Sequence, residues 1–576
     1  MVRREFSYRG CGSMPRTLFA AAVVGLVLAA PAQARPVPVM PNVTYDHTVQ
    51  WTPHGPLSLY VITAPRPGGL YSLNALLSNG TITGRETVTS MERDVSPRMT
   101  TIGVNGDFSN WNGGWPSGLL MQGGVVEHHA ADSRAAVGID TSGTLHVDHV
   151  PWTASWRGLS TTGHPIAQLN EPPRNNGFAL FTPAWGPTTP PVKGVAGVLE
   201  PFPPAAPYKD LTANVTTYVS NSSVAIPRDG AVLVARGSAV PDLQSDAPTG
   251  GEITVRIALL PSWATVTDAV SGGPTLVKNG APVANAHEAL TPIQLNGRDP
   301  RTAIGQRADG SIVIVAADGR EPGWSVGISN WDLALALVRY GCVNGFALDS
   351  GGSTTVALDG QLLNHPSDPT GQRPVAEALV IGYSGVYAPF VAPTISPNKD
   401  GFGDRELLSY KLVRPSAVTA QLTAPDGTAR VLDSGAKAPG RYRISWNGTD
   451  AAGAPGPEGR YRWTITATDD LGRTSVADRT FTLDDTVGFL RVAHNARSVS
   501  FALTRDATIR VTIETVSGLV LRTIARGPRA AGPVRASWNG RDGRGKRVRN
   551  GTYIVQVASN SVIGLSKVRR AISIRR

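Results

Sequence analysis

The sequence predicts an α+β protein in which strands dominate and helices are few. Glycine (63 residues) and proline (45 residues) are abundant, while charged residues make up only 17%, and this composition favours short strands and turns. A chain of 576 residues is too long for one hydrophobic core, so we expect two to four domains. A pattern of tryptophan, glycine and tyrosine occurs twice near the C-terminus and is typical of two small β-sandwiches.

Residues 1–34 have the features of a signal peptide. Arginines precede an apolar run at residues 18–30, and the sequence Ala32-Gln33-Ala34 follows as a cleavage signal. The run is too short to cross a bilayer comfortably, and no later apolar stretch reaches about 18 residues. We therefore expect a secreted protein without a membrane span. Cleavage would remove Cys11 and leave Cys342 as the single cysteine, which excludes an intramolecular disulfide.

The net charge of +11 is concentrated at the C-terminal end of the chain. Residues 491–576 contain 18 lysines and arginines against three acidic residues, whereas residues 35–490 are mildly acidic. Such a basic module could bind an anionic cell-wall polymer, or it could simply be a solvated surface. Because it lacks the interleaved aromatic residues that stack on bases, we expect no nucleic-acid partner.

A polar turn after an apolar run is the strongest candidate for chemistry. Asp349 ends the apolar run at residues 346–348. The turn that follows contains, in order, Ser350, Gly351, Gly352, Ser353 and Thr354. Glycines allow the backbone to approach a ligand closely, so a sugar or phosphate group could bind here. The alternative is a β-hairpin whose turn happens to be polar.

Further polar clusters follow other predicted strands. They are Asn105 with Asp107, Ser271 with Gly272 and Gly273, Arg301 with Thr302, Asp318, and Arg373 with Glu377. Two residues apart on an extended chain, Asn105 and Asp107 point the same way and could share a ligand or cation. Arg301 beside a hydroxyl group suits a phosphate or carboxylate. A helix is predicted between Ser329, which would cap its start, and Gly341, which would end it.

Together these motifs resemble the phosphodiester glycosidase family, the relatives of the lysosomal uncovering enzyme, which removes N-acetylglucosamine from a phosphodiester on mannose. The resemblance covers roughly residues 100–385 and rests on VNGDFSNWNGGWPSGLLMQGG, SGGPTLVKNG, PRTAIGQRADGSIVIVAADGR, LDSGGSTTVALDGQLLNHPSD and GQRPVAEALVIG. The family commonly has Asp-Gly-Gly-Gly-Ser where this chain has serine at position 350. The resemblance implies an α+β catalytic domain at residues 45–390, with a large curved mixed sheet, that hydrolyses a sugar–phosphate link.

Cleavage of a glycosyl phosphodiester passes through an oxocarbenium-like state that two carboxyl groups normally manage. We predict that Asp349 lies near the anomeric carbon, that Asp107 or Glu377 is the second carboxylate, and that Arg301 binds the phosphate. The predicted substrate-binding residues are Asn105, Ser271, Gly272, Gly273, Thr302, Asp318, Gly351, Gly352, Ser353, Thr354 and Arg373, with backbone N–H groups of the glycines facing the substrate. No cofactor and no metal ligand is assigned, although Asn105, Asp107 and Asp349 could hold a divalent cation. A general glycoside hydrolase and a non-catalytic glycan-binding or surface-assembly protein remain as alternatives.

Two copies of one pattern form the C-terminal end. Trp446 and Tyr461 recur as Trp538 and Tyr553, an offset of 92 residues in both cases, which is about the length of an immunoglobulin-like sandwich. The modules resemble the immunoglobulin-like domain of flagellar hook assembly proteins. We place the first at residues 391–486 and the second, basic one at 487–576. Acidic residues in the opening sequence SPNKDGFGD indicate either a calcium site or a plain turn.

Overall fold

The computed structural model describes residues 36–574, apart from 131–133, 192, 284–287, 289, 402, 494–497 and 517. Within these residues strands dominate and four α-helices occur, which confirms the predicted β-rich fold with few helices. None of the described helices is long and apolar enough to cross a membrane. The signal peptide predicted for residues 1–34 lies outside the described residues.

The large domain precedes residue 390 and is built mainly from short strands. Its strands are β1 (Val37–Met40), β2 (Val43–Thr52), β3 (Gly55–Ala64), β4 (Tyr71–Leu77), β5 (Thr100–Asn105), β6 (Leu120–Gln122), β7 (Val125–His128), β8 (Ala135–Asp140), β9 (Leu145–His149), β10 (Trp152–Arg157), β11 (His164–Leu169), β12 (Gly177–Phe181), β13 (Val195–Leu199), β14 (Asp210–Ser220), β15 (Ala231–Arg236), β16 (Glu252–Leu259), β17 (Val266–Ser271), β18 (Thr275–Lys278), β19 (Ala281–Pro282), β20 (Arg301–Arg307), β21 (Ile312–Ala317), β22 (Cys342–Ala347), β23 (Val356–Leu358), β24 (Gln361–Leu362) and β25 (Glu377–Tyr383). Its helices are α1 (Val88–Val95), α2 (Ala239–Asp246), α3 (Pro292–Asn296) and α4 (Asn330–Arg339).

Two sheets bring the candidate catalytic segments together. The larger has eight strands in the order β1-β2-β3-β21-β20-β22-β18-β19, and the smaller has five in the order β24-β23-β5-β25-β4. Buried side chains of both sheets, among them Ile102, Ile304 and Leu379, belong to one core. The strand pairs of the eight-stranded sheet are all antiparallel, so the large sheet is present but differs from the mixed sheet that the resemblance implied.

A closed barrel, which the sequence did not predict, adjoins these sheets. Its strand order is β10-β11-β12-β15-β13-β14-β16, and a further five-stranded sheet has the order β7-β6-β17-β8-β9. Apolar side chains of both, such as Trp156 and Val255 of the barrel and Met121 and Ala269 of the sheet, form a second core. Other barrel side chains, such as Phe181 and Val234, pack into the first core, which contains Ile304 of β20.

Alternation along β20 separates the two faces of the eight-stranded sheet. Ile304 packs into the core shared with the five-stranded sheet of β5, whereas Ala303 packs with Leu333 of α4 on the opposite face. Because successive side chains of a strand point to opposite faces, Thr302 lies on the side of Ile304 and Arg301 on the side of Ala303. This difference decides what each of the two residues can contact.

Helix α4 begins and ends where the sequence predicts. The Ser329 side chain accepts a hydrogen bond from the Asp332 N–H at 3.1 Å, and Gly341, just past the end, has a φ of 83°. A left-handed backbone at that position favours glycine and terminates the helix. The buried face of α4, which includes Leu333 and Leu337, covers the outer face of the eight-stranded sheet.

The two C-terminal modules are β-sandwiches, as predicted. The first contains β26 (Thr394–Ile395), β27 (Glu406–Leu412), β28 (Ser416–Thr423), β29 (Ala429–Lys437), β30 (Gly440–Trp446), β31 (Gly459–Asp469) and β32 (Thr474–Leu483). The second contains β33 (Val487–Val492), β34 (Ser498–Leu503), β35 (Ala507–Thr515), β36 (Val520–Arg529), β37 (Gly532–Ser537), β38 (Gly551–Ser561) and β39 (Gly564–Ile574). Each module has two sheets, β26-β32-β31-β28-β29 with β27-β30 and β33-β34-β37 with β36-β35-β38-β39.

The sequence repeat corresponds to a repeat of hydrogen bonds. Trp446 and Trp538 each donate the indole N–H to the carbonyl three residues further on, at 2.8 Å in both modules. Tyr461 and Tyr553 each donate the hydroxyl to the carbonyl four residues earlier, at 2.9 and 2.8 Å. The aromatic residues therefore fix equivalent turns in the two sandwiches.

Charged side chains connect the first sandwich to the large domain. Lys411 Nζ lies 2.6 Å from Asp359 Oδ1, and the Arg441 guanidinium pairs with the other Asp359 oxygen. Lys411 is only 3% exposed and also donates to the Met99 carbonyl at 3.1 Å. We call these three charged residues, Asp359, Lys411 and Arg441, the Asp359 clamp.

Candidate active site

Backbone hydrogen bonds join the segments that carry the predicted carboxylates. The Asp349 N–H donates to the Gly106 carbonyl at 3.0 Å, and Asn105 Nδ2 donates to the Asp349 carbonyl at 2.9 Å. The end of β5 and the turn after β22 are therefore adjacent. β25, which pairs with β5, adds Glu377 from its first position.

Four charged side chains meet at this junction, and we call Asp107, Arg134, Asp349 and Glu377 the acid cluster. Arg134 donates from both Nη atoms to Asp107, with Nη1–Oδ1 at 2.6 Å and Nη2–Oδ2 at 3.0 Å. Glu377 Oε1 accepts the Asp107 backbone N–H at 3.0 Å. Asp107 and Glu377 are buried, whereas Asp349 is only half-buried. Of the three carboxyl groups, Asp349 is therefore the one that solvent reaches best.

Burial and mutual repulsion set the protonation of the acid cluster. Burial raises the pKa of Asp349 to about 7, helped by the negative charge of Asp107 and opposed by the Ser353 hydroxyl and the Arg373 charge. Burial, together with Asp107, also raises the pKa of Glu377 well above its usual range. A carboxyl group that titrates near neutral pH can donate or accept a proton under ordinary conditions.

Asn105 and Thr302 position the acid cluster. Asn105 Oδ1 accepts from Thr302 Oγ1 at 2.8 Å and from the Thr355 N–H at 3.2 Å. With its Nδ2 on the Asp349 carbonyl, Asn105 ties β20 and the polar turn to β5. The structure thus brings these two predicted residues to Asp349, where their side chains bond to the protein.

The structure does not bring Arg301 to this site, because its side chain lies on the opposite face of the sheet and is bonded to backbone carbonyls. Its Nε donates to the Ile328 carbonyl at 3.0 Å, and its Nη2 donates to the Gln294 and Gly297 carbonyls at 2.8 Å each. Burial lowers the pKa of Arg301 to about 10, against the opposing charge of Asp299. Arg301 instead holds α3 and the start of α4 against the outer face of the sheet.

Three of the predicted glycines also differ from expectation. The N–H groups of Gly272, Gly273 and Gly351 donate to the carbonyls of Ala135, Ala347 and Pro300, at 3.3, 2.8 and 2.9 Å, so they do not face a substrate. Gly352 has another role, because a Cβ atom there would overlap Asp368 Oδ1 and Arg373 Nη2. Because Gly352 has no side chain, the ion pair of Asp368 and Arg373 can pack against the turn.

Two of the other predicted residues, Ser271 and Ser353, bond within the protein. Ser271 Oγ accepts the Leu119 N–H at 2.8 Å, and Ser353 Oγ donates to the Ser350 carbonyl at 2.9 Å. Thr354 Oγ1 is buried without a hydrogen-bond partner among the described residues.

Asp318 lies in a separate buried network. It accepts from the Tyr60 hydroxyl at 2.6 Å, from Trp324 Nε1 at 2.8 Å and from Asn364 Nδ2 at 3.1 Å. Burial raises the pKa of Asp318 in spite of these donors. Its contacts hold the loop after β24 and do not reach the acid cluster.

An open pocket lies beside the polar turn. Its volume is about 640 Å³, and its lining includes Arg85, Trp111, Asp368 and Arg373. The guanidinium carbons of Arg85 and Arg373 lie 5.4 and 5.6 Å from the ring centre of Trp111. Trp111 is 71% exposed, and Arg373 pairs with Asp368 at 2.8 Å. We call Arg85, Trp111 and Arg373 the open rim.

Of these residues, sequence reasoning found Arg373 but missed Arg134, Arg85 and Trp111. A signal for Arg134 was present, because it directly precedes the continuously apolar strand β8, and a charged side chain entering a core requires a partner. Trp111 lies within the quoted motif, but its exposure depends on the fold of the loop after β5. No sequence pattern relates Arg85 to this loop.

Most oxygens that could bind a divalent cation at Asn105, Asp107 and Asp349 already accept hydrogen bonds. Both oxygens of Asp107 accept from Arg134, and Asn105 Oδ1 accepts from two donors. A cation there would have to displace these donors.

Comparison with known families identifies the class of domain. Residues 210–382 match the family model described as phosphodiester glycosidase, and residues 401–470 and 491–562 match that of the FlgD Ig-like domain. Both resemblances inferred from the sequence are thereby confirmed. The first match contains Asp349 and Glu377 but begins after Asp107 and Arg134.

Individual proteins match over shorter stretches. The SPbeta prophage-derived uncharacterized protein YomE of Bacillus subtilis is 41% identical over 108 residues, which is 19% of this chain and 16% of that protein. Human N-acetylglucosamine-1-phosphodiester alpha-N-acetylglucosaminidase is 34% identical over 109 residues, or 17% of this chain and 21% of that protein. The chain thus spans about a fifth or less of the length of these curated relatives.

One solved structure supports the fold. The crystal structure of a hypothetical protein from Synechocystis has a TM-score of 0.50 and 23% sequence identity, covering 60% of this chain and 62% of that chain. This likeness concerns the fold alone.

Proposed function

We propose that the large domain is a hydrolase that cleaves glycosyl phosphodiesters, with Asp349 as its acid–base residue. The observation that carries the proposal is the meeting of Asp349 with the buried Asp107 and Glu377 in a junction where the Asp349 side chain still reaches solvent; burial raises its pKa to about 7. Because the Asp349 side chain is partly exposed, it can contact a substrate. Its pKa permits proton transfer near neutral pH.

In the proposed reaction, water attacks the anomeric carbon while the bond from that carbon to the phosphate oxygen breaks. Asp349 accepts the proton of the attacking water, and the phosphate monoester leaves with the bonding electron pair. Because phosphate is already a good leaving group, neutralising its charge contributes more than protonating it. The Gly106 carbonyl accepts the Asp349 N–H. The Asp107–Arg134 pair and the Glu377 side chain hold this backbone segment in position.

The open rim is our proposed binding site for the substrate. Arg373 acts electrostatically on Asp349 and lies over Trp111, so a phosphate on Arg373 would place the linked sugar between that residue and Asp349. The exposed Trp111 ring offers an apolar face on which a sugar could pack. Arginine is suited to phosphate because its planar donors bind two oxygens at once.

A secreted enzyme acting on a cell-wall glycan would use the basic second sandwich as an anchor. Between residues 491 and 576 the excess of arginine and lysine is large, and Arg526, Arg535 and Arg544 are exposed. We propose that this surface binds an anionic wall polymer through its charge. Binding of the full chain to teichoic-acid-type polymer should weaken steeply between 50 and 500 mM salt; salt-independent binding would contradict this proposal.

The first experiment measures sugar release from glycosyl phosphodiesters and from matched aryl glycosides. Asp349→Asn should lower kcat on the phosphodiesters by about a hundredfold or more, the usual contribution of a general acid or base. The matched control Asp309→Asn changes an aspartate in the exposed turn between β20 and β21 and should keep full activity. The kcat/KM of the unsubstituted protein should rise with pH up to about 7, as Asp349 loses its proton.

Each outcome separates the proposal from its rivals. Hydrolysis of phosphodiesters alone, lost in Asp349→Asn, supports the proposed function. Equal hydrolysis of aryl glycosides indicates a general glycoside hydrolase. Binding of wall polymer without hydrolysis of any substrate indicates a glycan-binding protein and contradicts the proposal.

A further inference from the structure

A histidine pair outside the acid cluster meets a glutamate. Among the described residues, ligand atoms of His128, His129 and Glu171 lie within 4.8 Å of one another. His128 ends β7, and Glu171 follows β11. His129 Nε2 lies 3.2 Å from Glu171 Oε2. Three ligand types found in metal sites, two imidazoles and a carboxylate, thus come together from separate parts of the chain.

The other ring nitrogen of each histidine contacts backbone carbonyls. His128 Nδ1 lies 2.8 Å from the Gly118 carbonyl and 3.1 Å from that of His129. Since a carbonyl oxygen only accepts, Nδ1 of His128 carries the hydrogen and Nε2 keeps its lone pair. His129 Nδ1 lies 3.2 Å from the Leu169 carbonyl and 3.4 Å from the Leu169 N–H, while its Nε2 lies 3.2 Å from a Glu171 carboxylate oxygen, which only accepts. Without a metal ion, His129 Nε2 therefore carries the hydrogen and donates it to Glu171.

This arrangement leaves the lone pair of His128 Nε2 beside the hydrogen bond between His129 and Glu171. His128 Nε2 is buried and has no hydrogen-bond partner among the described residues, which is costly for a polar atom. A metal ion would take the place of the hydrogen between His129 Nε2 and the Glu171 carboxylate. A cation between these groups would satisfy both nitrogens and the carboxylate together.

We propose that His128, His129 and Glu171 bind one divalent metal ion of the zinc class. Imidazole nitrogen and carboxylate oxygen are ligands that zinc and its neighbours prefer. Histidine ligands of metals usually donate the second ring N–H to a carbonyl or carboxylate, as His128 does here to the Gly118 carbonyl. The Glu171 side chain is 34% exposed, so an ion can enter from solvent.

The site lies close to the acid cluster. The Gly118 carbonyl receives His128 Nδ1, and a Cβ atom at Gly118 would lie 3.0 Å from Arg134 Nη2. The ion would therefore fix the segment before β6 that packs against Arg134. Its role is to position this segment, since His128 reaches the acid cluster only through Gly118.

The test uses the full chain with its affinity tag removed and its metal stripped by a chelator. Cobalt(II) is the probe, because its visible absorption bands report nitrogen and oxygen ligation. One equivalent of cobalt should bind and be displaced by one equivalent of zinc. Zinc should also raise the Tm, since a ligand that binds only the folded state stabilises it.

Substitutions decide whether these residues are the ligands. Glu171→Gln and His129→Gln should each weaken cobalt binding at least tenfold. The control Asp242→Asn changes an exposed carboxylate 3.9 Å from a single histidine, His164, and should leave the affinity unchanged. Because Glu171 is partly exposed and the change preserves its shape, near-UV circular dichroism should remain that of the parent chain. Absence of stoichiometric cobalt binding, or equal affinity in all variants, would overturn the proposal.

Discussion

The acid cluster and the open rim place arginine in opposite environments, one buried and one exposed. In the acid cluster, the Asp107 side chain is 0% exposed and that of Arg134 is 8% exposed. In the open rim, the Arg373 side chain is 25% exposed and Trp111 reaches 71%. A ligand cannot reach the buried Asp107–Arg134 pair, but Asp107 raises the pKa of Asp349 and Glu377. The exposed rim residues can contact a ligand and have a smaller influence on those pKa values. Asp349 is the member of the acid cluster that solvent reaches best, and the charges of Asp107 and Arg373 both act on its pKa.

The largest expected effect is on stability and concerns the buried pair. Arg134→Met leaves the Asp107 carboxylate buried without its partner, which should lower the free energy of unfolding by about 3–5 kcal/mol. The control Arg256→Met breaks an exposed pair with Asp210 and should cost no more than about 1 kcal/mol. Urea denaturation measures both. Similar losses in the two variants would show that burial does not distinguish these pairs.

A matched pair of arginine substitutions tests which guanidinium binds phosphate. Arg373→Gln should lower kcat/KM by about ten- to a hundredfold, since a hydrogen bond to a charged group contributes about 1.5–3 kcal/mol. Arg301→Gln should lower the free energy of unfolding by about 3 kcal/mol through its lost carbonyl contacts, while KM stays unchanged. Steady-state kinetics with denaturation curves separates the two effects. The reverse result would restore Arg301 as the phosphate ligand.

A further expected effect is a slope of stability against pH. The folded state keeps the Asp349 proton up to a pKa of about 7, while the ordinary pKa is 3.8. The unfolded chain therefore releases this proton first, and the free energy of unfolding should fall as pH rises from about 4 to 7. Asp349→Asn should make this decrease shallower, measured by denaturation at several pH values. An unchanged slope would mean that the Asp349 pKa is not raised.

Local patterns predicted much of the fold because they depend on short-range chemistry. The caps of α4, the hairpin between β20 and β21, and the paired tryptophans of the two sandwiches follow from residues close together in sequence. The barrel was not predicted, because its closure depends on pairing between distant strands such as β10 and β16. The strand directions of the large sheet depend on the same long-range pairing.

The candidate site shows the same limit at the level of single residues. Asn105, Asp107, Asp349 and Glu377 meet because their strands are neighbours, and the motif order was sufficient to group them. Arg301 was misplaced because one step along a strand reverses the face of the sheet. Arg134 was missed because its partner, Asp107, lies 27 residues away along the chain. No local charge pattern connects the two residues.

The Asp359 clamp has a consequence for how the enzyme would encounter a polymer. The clamp, in which the side chains of Asp359 and Lys411 are buried, ties the sandwich directly to the large domain, unlike a module on a flexible tether. At the next joint, Arg505 pairs with Glu458 at 2.6 Å, so the basic sandwich is also constrained. A polymer bound to the basic sandwich would reach Asp349 without dissociating. Its effective concentration at Asp349 would depend on the distance between the sandwich and that residue. Polymers long enough to bridge that span would be cleaved in preference to short ones.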